Sequence, residues 1–298
     1  MSSPKSLPLT KEELKDIEST LINIVKGEVN YLIKNRAGAY FDSYNNKAND
    51  VDLVTEIDKK VENIIRDALT FKYPAYGFIG EESYVKGESQ LGTDKFWCVD
   101  PIDGTTNFVH GYPMSCCSIA LVENGFPVVG VVSNPSLGQI FHASKGNGAF
   151  LNSEAINILP RQLILQKSLV AFEGGAERTE GPDGNFDAKM ATLKSLLSDK
   201  GAHIHGVRCT GSAALNMCYV SMGLFDAYWE CGVNSWDVAA GACILVEAGG
   251  ILVGGMPQDW RIPLDNRCYL AVRGGSNPEE QRWFVEAFWS HVKGRISY

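Results

Sequence analysis

The chain has 298 residues, 45% of them apolar and 21% charged, and a formal net charge of −8. That length exceeds a typical single domain and supports a sizeable core, as one large unit or two intimately packed ones. The acidic balance argues against a nucleic-acid partner or an anionic membrane surface, and an anionic substrate would need local cations to bind. No apolar run is long enough to span a membrane, and the start MSSPKSLPLTKEELKD lacks the apolar core of a signal peptide, so a cytoplasmic protein is expected. The eight cysteines stand mostly in apolar runs, without a Cys-x-x-Cys pair or zinc-like spacing to histidine, and read as reduced, buried thiols.

Thr10 and Glu13 make a capping-box pattern, and Leu14, Ile17, Leu21, Ile24, Val25 and Leu32 recur at helical spacing. One long amphipathic helix is therefore expected over 11–34. Residues 38–50 are polar and read as a loop or hairpin that carries Lys47. Thr55 and Asp58 are placed to cap a second helix, whose buried face is Ile57, Val61, Ile64, Ile65 and Leu69. A strand near 76–79 runs straight into Gly80-Glu81-Glu82-Ser83. Phe96, Trp97, Cys98 and Val99 form a second buried strand, which should stop at Asp100 because Pro101 offers no N–H to a ladder. Asp103-Gly104 then turns the chain, and Thr105 or Thr106 is placed to cap the next helical turn.

From 115 to 152 the pattern becomes a β-meander. A strand after Lys167 leads into a Gly/Glu/Pro-rich loop at 173–185, a helix near 186–198 and an alternating stretch at 203–208. Gly211, Ser212 and Ala213 open a buried helix with small residues. A strand follows at 225–230, and Trp236-Asp237 then stand at the head of an almost wholly apolar helix at 238–248. Strands near 251–253 and 268–272 and an amphipathic helix at 278–292 close the chain.

Taken singly, each acidic motif has an ordinary explanation. An Asp-x-x-Asp-Gly turn is usually a turn, adjacent acids after a strand are usually solvated, and small residues at a helix start suit close packing equally well. Two successive strand ends that carry carboxylates beside exposed backbone N–H groups are a more specific arrangement. They suit a hard divalent cation together with a phosphate.

Four segments, Val54-Thr55-Glu56-Ile57-Asp58, Gly80–Ser83, Asp100–Asn107 and Trp236-Asp237, occur in an order that resembles the inositol monophosphatase family of the lithium-sensitive, magnesium-dependent phosphatases. The resemblance runs from about Leu14 to Phe288, and Glu-Glu-Ser-Tyr-Val-Lys-Gly-Glu at 81–88 is most similar to fungal members. It implies an α/β (α+β) layered αβαβα sandwich of the sugar-phosphatase type, one unit over 1–298. Residues 10–160 would carry the main metal-binding motifs, and 161–298 would complete the site.

The resemblance also implies roles. Glu81, Asp100, Asp103, Asp237 and the Ile102 carbonyl look like ligands for two or three Mg²⁺. Glu81 and Thr105 look like the pair that orients the attacking water, with Asp58 behind them. Gly104 and Thr105 amides would hold the phosphate alongside Ile102, Asp103 and Asp237. Gly211, Ser212, Ala213 and Glu230 resemble contacts to inositol hydroxyls, and Lys47 falls where a loop lysine lies near the active site. The implied activity is Mg²⁺-dependent hydrolysis of myo-inositol monophosphate, by a lithium-sensitive homodimer. The alternatives are another small monoester (galactose 1-phosphate, fructose 1,6-bisphosphate or a nucleotide 3′-phosphate) or a non-catalytic metal- and phosphoinositide-binding scaffold.

The charge count agrees with this reading. Four converging carboxylates repel one another unless cations balance them, and a phosphate monoester adds about −2. Two departures bear on substrate preference: Asn234 stands where many animal members have histidine, and Ala176 stands where a serine is expected.

Overall fold

The structure is a computed structural model and describes residues 8–38, 45–46, 53–85, 94–181, 183–261 and 263–298. The first helical stretch does not run unbroken. Helix α1 (Lys11–Ile24) gives way to a wide π-helical turn at Val25–Val29, and α2 (Asn30–Arg36) resumes beyond it. The break falls at Gly27, whose ψ of −133° is not helical. Glycine pays no Cβ penalty for leaving helical geometry there. A two-residue pairing of β1 (Asn45–Asn46) with β2 (Leu53–Val54) precedes α3 (Glu56–Lys72), which is capped by Thr55 and Asp58 as the sequence predicts.

Seven strands form the first large sheet: β3 (Gly77–Gly80), β4 (Lys95–Asp103), β5 (Cys116–Glu123), β6 (Phe126–Asn134), β7 (Gln139–Ser144), β8 (Ala149–Leu151) and β9 (Glu154–Ala155), neighbours in that order. Only β3 and β4 are parallel; the rest is the expected meander. Strand β4 does not end at Asp100. Its pairing jumps from Asp100–Ser118 to Asp103–Cys116, so Pro101 and Ile102 bulge out and the ladder closes once more at Asp103. A bulge is where a strand tolerates proline, and it re-aims the flanking side chains.

Helix α4 (Thr105–His110) follows at once. Its N-cap is Gly104 rather than a threonine, with φ of +82°. A Cβ on Gly104 would stand 2.8 Å from the Met114 carbonyl, so the turn requires glycine on both counts.

The second sheet has the order β11-β10-β12-β14-β13 and is built from β10 (Leu169–Phe172), β11 (Gly206–Arg208), β12 (Ala227–Cys231), β13 (Ile251–Gly254) and β14 (Cys268–Val272). Helices α6 (Ala213–Ser221) and α7 (Ser235–Glu247) lie between the two sheets; all of α6 is buried, and so is α7 at Trp236 and from Val238 to Leu245. Gly130 lets α7 settle onto β6: a Cβ there would be 2.4 Å from the Ala240 carbonyl. Helices α1, α2 and α3 cover the outer face of the first sheet. Helices α5 (Phe186–Leu197) and α8 (Pro278–Trp289) cover that of the second. The layering is αβαβα, as expected.

One expectation fails. Cys231 and Cys268 are directly opposite on β12 and β14 and are joined as a disulfide, whereas the apolar runs around them suggested that all eight cysteines were reduced. Of the other six, five are buried and Cys209 is exposed.

Candidate active site

The ends of β3 and β4 and the starts of α6 and α7 line one cleft of about 700 Å³, together with the loop after β10. Asp100 and Asp103 flank the bulge of β4, and Asp237 stands in the first turn of α7. These three aspartates each bring a carboxylate oxygen within 4.8 Å of the others. Glu81, just past β3, lines the same cleft.

Acids gathered this closely, Asp100 and Asp103 buried and Glu81 and Asp237 partly so, raise one another's proton affinity. Burial, then Glu81, Asp103 and Asp237, push Asp100 well above the usual carboxylate range. Burial and the charges of Glu81 and Asp103 push Asp237 up to about 8, against the pull of the Asn234 amide, which donates to Asp237 Oδ2 at 2.6 Å. Asp103 is pushed to about 6 by burial, moderated by hydrogen bonds from Ser212 and Ala214. Hard carboxylate oxygens held this close, at a cost in mutual repulsion, fit a hard divalent cation, which removes the repulsion and supplies the missing charge.

The sequence-predicted residues are mostly brought together here. Thr105 Oγ1 lies 3.3 Å from Asp58 Oδ1 and 3.0 Å from the Ile102 carbonyl, as donor to both acceptors. Asp58 is fully buried, and its other oxygen accepts from the Thr55 amide at 2.9 Å and from the Thr55 hydroxyl. The Ile102 amide donates to Asp100 Oδ1 at 3.0 Å, which fixes that carboxylate against the bulge. Ser212 lines the cleft as well, with its side chain buried and its hydroxyl donating to Asp103 Oδ2. Gly211, Ala213, Glu230, Asn234 and Ala176 line the cleft. Glu230 Oε2 accepts from the Tyr228 hydroxyl at 2.5 Å, and burial followed by the Glu173 charge pushes Glu230 well above its ordinary range. Lys47 lies outside the described residues.

Three contributors were missed from sequence. Glu173, the residue after β10, accepts through Oε1 from the amides of Thr210 and Gly211 and from Asn216 Nδ2, at 2.6, 2.9 and 3.0 Å. Its signal was available, since it repeats the pattern of a carboxylate at a strand end followed by glycine. Asn107 Nδ2 donates to the Met114 and Thr210 carbonyls, at 2.7 Å each, and ties α4 to the loop before α6. Tyr298 lines the cleft and donates its hydroxyl to the Cys231 carbonyl at 2.9 Å; nothing local in sequence marks it.

A layered sandwich with an acidic cleft beside two strand ends and two helix starts defines a metal-dependent phosphatase of the sugar-phosphate type. The family model "Inositol monophosphatase family" matches residues 12–293, and the chain belongs to that family and is a phosphatase. It is 59% identical over 290 residues to inositol monophosphatase 2 of Saccharomyces cerevisiae, covering 97% of this chain and 99% of that one. Identity to inositol monophosphatase 1 of the same yeast is 46% over 295 residues, 96% of this chain and 99% of the other. Among solved structures, the Thermotoga maritima IMPase superposes with a TM-score of 0.76 at 29% identity, over 93% of this chain and 98% of that one. No helix among the described residues is long and apolar enough to cross a membrane.

Proposed function

We propose that the protein hydrolyses myo-inositol monophosphate to inositol and inorganic phosphate, with Mg²⁺ held by Glu81, Asp100, Asp103, Asp237 and the Ile102 carbonyl. The observation that carries this is the convergence of three aspartate oxygens within 4.8 Å, two from β4 and one from α7. When bound, the metal supplies a Lewis acid and lowers the pKa of an attacking water.

The protein's own groups account for the rest. Because the Thr105 hydroxyl donates to Asp58 or to the Ile102 carbonyl, its oxygen lone pair is left to accept a hydrogen bond from that water, and a proton taken from the water is balanced by passing the hydroxyl's own proton to the Asp58 carboxylate. Asp58, held on its other oxygen by Thr55, keeps the hydroxyl turned that way. Glu81 supplies a second acceptor on the same water. The amides of Gly104 and Thr105 receive the phosphate, and Glu230 with the start of α6 receives substrate hydroxyls. A protonated or hydrogen-bonded Glu230 suits a neutral polyol better than a second anion, since its own neighbour Glu173 already resists more negative charge.

The same reading takes two or three Mg²⁺ per site, inhibition by lithium, a homodimer and a cytoplasmic location. Phosphate release from inositol monophosphate, with Mg²⁺ and after chelation, tests the activity, and Asp237→Asn tests the ligand set. The variant should keep its fold, because an amide oxygen still accepts from Asn234, and lose turnover by orders of magnitude. Near-normal turnover in that variant at saturating Mg²⁺ would remove Asp237 from the assignment. Light scattering on the eluting protein checks the dimer.

A further inference from the structure

Glu62 lies one turn beyond Asp58 on α3 and is 2% exposed, an unusual place for a carboxylate. It is not in the cleft. Its Oε2 accepts from the Glu82 amide at 2.7 Å, and its Oε1 is 2.5 Å from Arg66 Nη2. Arg66 in turn packs its guanidinium over the Phe78 ring, 4.8 Å from the centroid. On the other side of Glu81, Gly80 is pressed against the same carboxylate: a Cβ there would stand 2.5 Å from the Glu62 carboxyl carbon. Between them the Glu81 amide donates to the Val99 carbonyl at 3.1 Å, continuing the β3–β4 ladder by one residue.

We infer that Glu62 is a positioning residue for Mg²⁺ binding, which clamps the backbone on both sides of Glu81 and so aims its carboxylate at Asp100 and Asp237. This rests on the reading of Glu81 as a metal ligand. Asp100 and Asp237 are each held by an amide within three residues and Asp103 by the Ala214 amide of α6, while the Glu81 turn meets β4 through its ladder bond to Val99 and meets α3 through Glu62. A side-chain carboxylate meets a metal ion in productive geometry only if its backbone is held to a fraction of an ångström. Helix α3 thus serves both sides of the proposed chemistry: Asp58 orients Thr105, and one turn later Glu62 orients Glu81.

The idea turns on geometry rather than charge, and two conservative variants separate them. Glu62→Gln loses the charge that pairs with Arg66 but keeps an oxygen at the right distance for the Glu82 amide. Glu62→Asp keeps the charge but is one methylene too short. Mg²⁺ binding to the substrate-free protein, followed calorimetrically, should stay within about threefold of wild type in Glu62→Gln and weaken by about tenfold or more in Glu62→Asp, the usual scale for partners that orient a metal ligand. Gly80→Ala, which forces the carboxylate away without removing it, should behave like Glu62→Asp. Glu81→Gln is measured alongside: if it leaves Mg²⁺ binding unchanged, the ligand assignment fails, and this inference with it. If Glu81→Gln weakens binding while Glu62→Asp and Gly80→Ala do not, or if Gln is worse than Asp, the positioning role is wrong and Glu62 is only Arg66's partner. Melting temperatures confirm that each variant is folded, and any variant that is not is replaced in the comparison by the other two.

Discussion

Asp103, on the last rung of β4, accepts a 2.9 Å hydrogen bond from the Ala214 amide in the first turn of α6, and the Ser212 hydroxyl donates to the same oxygen. A single carboxylate oxygen therefore serves as the anchor of a helix from the second sheet's side of the molecule, which leaves the other oxygen for the cleft. With the Cys116 thiol as a third donor at 3.6 Å, these hydrogen bonds on one oxygen favour the ionised form and offset part of the cost of burying it.

Ser212→Ala should show this anchoring directly. The hydroxyl both donates to Asp103 and accepts from the Leu215 amide at 3.2 Å as the cap of α6. Its loss should cost about 1 kcal/mol of stability, the usual value for a helix cap. Asp103 should also hold metal more weakly, so the Mg²⁺ concentration for half-maximal activity should rise. If only the melting temperature falls and Mg²⁺ activation is unchanged, the serine is a cap and nothing more.

Thr105 gives a second test, because it touches both Asp58 and Ile102. Thr105→Ala should lower kcat far more than it raises KM, since the hydroxyl is needed where the water attacks and not where substrate rests. Thr105→Ser should restore most of the rate. Asp58→Asn should act in the same direction but more weakly, because the Ile102 carbonyl remains to orient the hydroxyl. An effect of Thr105→Ala on KM alone would make it a phosphate contact.

What could be read in advance follows from sequence distance. Asp103, Glu81 and Asp237 stand at a strand end, just past one and in the first turn of a helix, and Asp100 stands beside Pro101, all places that proline, glycine and capping residues mark locally, so their lining of one cleft could be inferred from a few neighbours. The kink at Gly27 was missed because the apolar spacing continues on both sides of it. The run of β4 past Pro101 was missed because a bulge depends on the partner strand. Asn107 with Thr210, 103 positions apart, and Ser212 with Asp103, 109 apart, are meetings between layers that no local pattern encodes. The facing of Cys231 and Cys268 depends on the register of two strands 37 residues apart, and composition alone pointed the other way.

The last prediction concerns pH and the metal together. In the metal-free protein Asp237 is pushed up to about 8, Asp103 to about 6 and Asp100 well above its ordinary value, mainly by burial. In the unfolded chain these groups release protons near pH 4. A folded state that holds protons more tightly than the unfolded one is favoured at low pH, so this contribution is complete below about pH 4 and is lost as pH rises through 6 and 8. The melting temperature of the metal-free protein should therefore fall by several degrees between about pH 5 and 9. Added Mg²⁺ competes with those protons, so its stabilising effect should be small at the acidic end and grow steadily towards pH 9. Asp237→Asn removes one of the titrating groups and should flatten the metal-free slope. Scanning calorimetry of the chelated and Mg²⁺-loaded protein across that range decides it. A metal-free melting temperature that rises with pH, or a Mg²⁺ shift that is the same at both ends, would mean that the buried aspartates are already ionised without a cation and that the metal is not what balances them.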